Sequence, residues 1–228
     1  SNEKEITQKL IDKEIGFWDA MPLLQSSYAD SIALKTFGKL KRNNVFVVPT
    51  LHIGRVLSYL DEVDHTDDDY LKYMGLGIQQ TYKGRIDRVK NASAKQVADR
   101  KALDQFFGEL AFNLNKNGVA LLAGSDSGAY NSYTYPGISL HKEMEAMVAT
   151  GISPLDALKS SAYNGALFLK QDADYGSITE GKIADIVLLN SNPLENITNT
   201  QDIYMVLSNG NHHSKSDLDS LLTSAIVH

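Results

Sequence analysis

The chain has 228 residues, 43% of them apolar and 22% charged, enough for one ordinary core and a small second lobe. Acidic residues outnumber basic ones 28 to 22 and the basic residues form no concentrated run, which argues against nucleic acid and for a small molecule as partner. With no cysteine, disulfides, thiolate metal sites and a cysteine nucleophile are excluded; with no apolar run near the roughly 18 residues a bilayer needs, no membrane span is expected and the chain reads as soluble, cytoplasmic or exported.

Residues 4–42 carry apolar side chains at helical spacing, first Ile6, Leu10, Ile11, Ile15 and Trp18, then Ala29, Ile32, Leu34 and Phe37, and Pro22 is expected to divide them into two helices. The run Val45, Phe46, Val47, Val48 ends at Pro49 and reads as a short strand buried on both faces, the mark of a parallel sheet. About 70 residues separate it from the next such run, too many for a bare loop, so helices should fill the interval. An amphipathic pattern over 71–89 supplies one, and Ser93 can cap another that Gly118 ends. Residues 119–123 form the second apolar strand, so strand, helices and strand make a βαβ arrangement. A Tyr- and Gly-rich loop leads to a helix over 139–149, and Ser153-Pro154 opens another running to Leu169. From Tyr175 the pattern turns to short strands at 176–178, 184–189 and 203–207, with turns at Asn192-Pro193 and Asn209-Gly210, before a terminal helix.

Asp126 draws attention first, because it stands among small residues (Gly124, Ser125, Ser127, Gly128) directly after a buried strand. In α/β barrels the C-terminal ends of the strands carry the site, and a carboxylate there can ligate a cation or accept a proton from bound water. The alternative on spacing alone is an Asp that caps the following turn.

The stretches GVALLAGSDSG, GISLHKEMEAMVATGISPLDALKSSAYNGALFL, YGSITEGKIADIVLLNSNPLENI and IYMVLSNG, in this order between Gly118 and Gly210, closely resemble the last part of the imidazolonepropionase-like or prolidase-like hydrolases of the amidohydrolase superfamily. VFVVPTL at 45–51 fits the preceding barrel strand. The resemblance implies a C-terminal fragment of a TIM-type (β/α)8 barrel, helix-rich α/β, over 1–174, then partial β-sandwich strands over 175–210 and a tail helix over 211–228. It implies a parent enzyme that hydrolyses C–N bonds of cyclic amides or dipeptides with metal-activated water, and Asp126 as metal ligand and proton shuttle at the end of the eighth strand. Lys182 and Asp185 then read as structural turn residues. A divalent metal is implied, zinc by the family, although this chain by itself lacks the family's upstream ligands and is expected to be inactive alone.

Three further residues are candidates for substrate contact or for supporting the site: His52 just past the 45–51 run, His141 behind the loop that follows Asp126, and Tyr133 within that loop. Tyr133, with Tyr130 and Tyr135, either lines a substrate pocket or covers the end of the core. The acidic run 61–69 lacks the Gly and Glu that a helical calcium loop needs and reads as a solvated approach to a helix. Two readings stay open: a hydrolase completed by the missing N-terminal half of its barrel, or a non-catalytic folded fragment that binds no metal and covers its exposed strand edges by forming a homo-oligomer.

Overall fold

A computed structural model describes residues 2–128 and 131–227, and they form a helix-rich α/β fold. Three helices open it: α1 (Asn2–Ile11), α2 (Phe17–Ser26) and α3 (Asp30–Arg42). Pro22 does not divide two helices but lies inside α2, where it forfeits the hydrogen bond its N–H would donate four residues back. The chain breaks instead near Lys13, whose φ of 59° is left-handed, and over residues 27–29.

Strand β1 (Phe46–Val47) pairs in parallel with β2 (Ala120–Leu121), Phe46 opposite Ala120 and Val47 opposite Leu121. The crossover between them holds α4 (Leu51–Ser58), a 3₁₀ turn at Asp69–Tyr73, α5 (Leu76–Lys90) and the long α6 (Ala94–Lys116). Ser93 starts α6 as expected: its hydroxyl accepts the Gln96 N–H and the Gln96 side chain takes the Ser93 N–H, so two orphan amides are satisfied at once.

After β2 come α7 (Ile138–Ala149), α8 (Pro154–Ser161) and α9 (Tyr163–Leu169). The last two replace the single helix expected after Ser153, because Ala162, at φ −127° and ψ −70°, interrupts the helical backbone. Strands β3 (Ile186–Leu189), β4 (Ile203–Ser208) and β5 (Asn211–Ser214) make an antiparallel sheet in the order β3-β4-β5, followed by α10 (Lys215–Ser224). Asn209 and Gly210, both at positive φ, turn β4 into β5, so residues 211–214 form a strand where the tail helix was expected to begin. No strand forms at 176–178, where Ile178 is 86% exposed.

One core joins these pieces. Phe37 of α3, Leu51 of α4, Leu114 of α6, Leu121 of β2, Met144 and Met147 of α7 and Ile152 bury their side chains together, and Ile197 anchors the antiparallel sheet to them. A smaller cluster gathers Val56, Met74, Tyr82, Tyr133 and Tyr135.

Candidate active site

The two parallel strands deliver their C-terminal ends side by side. Leu122 donates its N–H to the Val47 carbonyl at 2.9 Å, and a Cβ at Gly124 would stand 2.6 Å from Val48 Cγ1, so only glycine allows the two chains to leave the sheet this close. Thr50 follows β1 and Asp126 follows β2, both in the left-handed region at φ 49°. Asp126 is exposed, and its carbonyl accepts a hydrogen bond from the Asn131 side chain, which folds the loop back on itself. The side chain predicted to act therefore sits free at the strand ends, on the edge where barrel sites form.

Glu143 organises the neighbouring exit and was not singled out from sequence. It is 0% exposed, and its Oε1 and Oε2 accept the N–H groups of Leu51 (3.0 Å) and His52 (2.7 Å), the first amides of α4. Thr50 contributes no side-chain cap to that helix, so α7 supplies the cap from more than ninety residues away. Burial pushes the Glu143 carboxyl up, and the two amides pull it back. A sequence signal existed: Glu143 lies four residues from both Ser139 and Met147, a charged residue on a buried helix face.

His52 lies in the first turn of α4 and is half-buried, with its backbone held by Glu143. Among the described residues His141 pairs away from the loop after Asp126: its Nδ1 meets Thr200 Oγ1 at 2.9 Å and, with the Gln201–Glu145 hydrogen bond at 2.6 Å, ties α7 to the segment before β4. Tyr133 and Tyr135 are buried in the smaller cluster, where Tyr133 stacks on His65 at 4.7 Å between ring centres, so they cover the core rather than line an open pocket. Tyr130 lies outside the described residues. The acidic run, read as solvated, contributes Asp68, which accepts the Tyr135 hydroxyl (2.7 Å) and meets His65 Nδ1 (2.9 Å), clasping the loop after Asp126 from outside. Lys182 and Asp185 are structural, as expected: Lys182 donates to the Tyr175 carbonyl and Asp185 accepts the Asn209 N–H.

Burial lowers the pKa of both His52 and His141, the nearby Lys142 adding to the effect on each. Below about 6.5 the unfolded chain then takes up protons that the folded chain resists, so stability rises with pH across that window and falls as pH drops from about 7 to about 5. Glu143, shifted the other way, opposes this slope. The contribution is therefore expected in the difference between wild type and a His52→Asn/His141→Asn variant, whose denaturation midpoints should converge as the pH is lowered. A constant difference from pH 7 to pH 5 would remove the assignment.

Among the described residues, no group of three or more His, Asp or Glu side chains lies close enough to hold a metal ion. Asp126 fits as one ligand of a set, and a catalytic metal takes about three protein ligands. Nor is any helix among these residues long and apolar enough to cross a membrane.

Residues 109–212 match the amidohydrolase family. That stretch runs from the second half of α6 to the first residues of β5 and contains Asp126, Glu143 and His141. Among solved structures, the chain is similar to a putative prolidase from Bifidobacterium longum (24% identity, TM-score 0.52, covering 79% of this chain and 39% of that one). It is also similar to bottromycin amidohydrolase (23%, TM-score 0.65, 79% and 40%) and to a Xaa-Pro dipeptidase solved with methionine in its active site (18%, TM-score 0.57, 86% and 42%). At these identities the likeness is one of fold. The chain spans about two fifths of the length of these structures, and in fold it resembles prolidases and other amidohydrolases. No curated protein matches it.

Proposed function

We propose that this chain is the C-terminal part of a TIM-type barrel hydrolase that cleaves amide C–N bonds in small molecules, with dipeptides and cyclic amides as the substrate class. The observation that carries the reading is Asp126: an exposed carboxylate in the loop that leaves the second of two parallel strands, inside the segment that matches the amidohydrolase family. A divalent metal, zinc by family resemblance, would supply a water acidified by coordination. The residues here then have separate tasks. Asp126 offers one oxygen as a ligand and holds the proton taken from water until the departing amine nitrogen receives it. Glu143 and the Gly124 contact fix the two strand exits, so that the carboxylate is presented from a rigid edge. The remaining ligands belong to the N-terminal half of the barrel.

A second reading rests on a specific feature, the open two-stranded parallel sheet. Val45 and Val48 are more than a third exposed, and apolar side chains of α2, α3 and α6 line an open groove of about 500 Å³ beside β1. As an isolated piece, the chain would cover that surface by self-association. Metal content and mass measured on one preparation test both readings. Under the first, a protein carrying both barrel halves retains metal after dialysis and hydrolyses a panel of Xaa-Pro dipeptides, whereas this chain retains none. A complete protein that cleaves no amide, with or without added zinc, would overturn it. Light scattering that finds this chain a stable monomer would overturn the second.

A further inference from the structure

We infer that a pocket between α2, α4, α5 and α6, remote in sequence from the Asp126 loop, binds a small oxyanion, carboxylate or phosphate, that also carries a hydroxyl or amino donor. Its volume is about 190 Å³, the size of a small metabolite rather than of a peptide or a drug-like ligand. Three guanidinium groups line it: Arg85 and Arg88 from α5 and Arg100 from α6. They are near enough to act on one another, since Arg85 is pushed below the ordinary arginine range first by burial and then by Arg88 and Arg100. Like charges assembled around a partly dry pocket repel, and an anion seated among them relieves that repulsion. No run of basic residues in the sequence announces this cluster, because Arg100 comes from a different helix than the other two.

One turn after Arg100 on the same helix, a second lining residue has a complementary need. Asp104 of α6 is 8% exposed, and its Oδ2 is buried without a hydrogen-bond partner; Arg55 Nε approaches to 3.7 Å, close enough for attraction but too far for a hydrogen bond. Burial pushes this carboxyl up, with Arg55 restraining the shift. A ligand hydroxyl or amino group would give Oδ2 the donor it lacks. Trp18 of α2 closes one side, with the Arg100 guanidinium 5.6 Å from the centre of its ring, and offers an apolar face to the ligand's carbon atoms.

Trp18 is the chain's single tryptophan, so its emission reports on this pocket. Titration with malate or glycerol 3-phosphate at constant ionic strength is expected to change that emission saturably. Arg88→Gln, at an exposed position on α5, is expected to weaken the half-saturation about tenfold, and Arg85→Gln to do the same. Succinate, which is malate without its hydroxyl, is expected to bind about tenfold more weakly, because Asp104 Oδ2 then still lacks a hydrogen-bond donor. Saturation by malate alone assigns a carboxylate ligand, by glycerol 3-phosphate alone a phosphate ester, and by both a site that accepts either oxyanion. Saturation by neither compound, or an Arg88→Gln variant that titrates like wild type, would overturn the oxyanion site. Equal affinity for malate and succinate would overturn the part given to Asp104.

Discussion

Asp126→Asn in the complete enzyme is expected to lower kcat on an amide substrate on the order of 10³-fold. The substitution keeps the size of the side chain but removes its ability to hold a proton and weakens it as a metal ligand. It is also clean in structural terms. Asp126 is exposed, and its φ of 49° lies where Asn is at least as comfortable as Asp, so the loop and its Asn131 contact should persist. Circular dichroism and the denaturation midpoint should therefore match wild type while turnover collapses. A variant that retains comparable turnover would show that Asp126 only shapes its loop, the alternative that spacing alone allowed.

The place of Asp126, exposed in the loop that leaves β2, was legible in the sequence because everything that marks it is local: an apolar run, a tight pair of small residues, then a carboxylate. The order of strand, helices and strand was legible for the same reason, since Val45 to Val48 and residues 119–123 announce strands from their own composition, but the first is not buried on both faces: Phe46 and Val47 are half-buried and Val45 and Val48 are exposed, because no further strand pairs or packs beside β1 among the described residues. What could not be read is what depends on contacts across the fold. His141 was assigned to the nearest loop in sequence, but its partner Thr200 is 59 residues away and reaches it only because the 3₁₀ turn at Ile197–Gln201 packs on α7. Residues 211–214 carry two histidines and little β-propensity, and become a strand only because the Asn209-Gly210 turn lays them against β4. Asp68 hides within an acidic run whose other members face solvent or pair with Lys101, and only the folded loop brings it to Tyr135.

Glu143→Ala is expected to destabilise the chain by about 3 kcal/mol, the sum of two charge-assisted hydrogen bonds to amides that then have no acceptor. The magnitude follows from the geometry. One carboxylate holds both the Leu51 and the His52 N–H, Leu51 is part of the main core, and Thr50, at φ 49° and ψ 48°, gives no side-chain cap to replace it. Glu143→Gln keeps one oxygen but turns an NH₂ group toward the second amide, so it should forfeit roughly half of that stability. The pair of variants separates capping from mere filling of space, since Gln has nearly the volume of Glu. Urea denaturation with the slope held common to all three proteins gives the comparison. Equal loss in both variants would mean that both carboxylate oxygens are needed together. A Glu143→Ala protein within about 0.5 kcal/mol of wild type would mean that water caps α4 as well as Glu143 does. In that event the helix after β1 would not depend on α7, and the rigid presentation of the strand ends would have to come from the Val48–Gly124 contact alone.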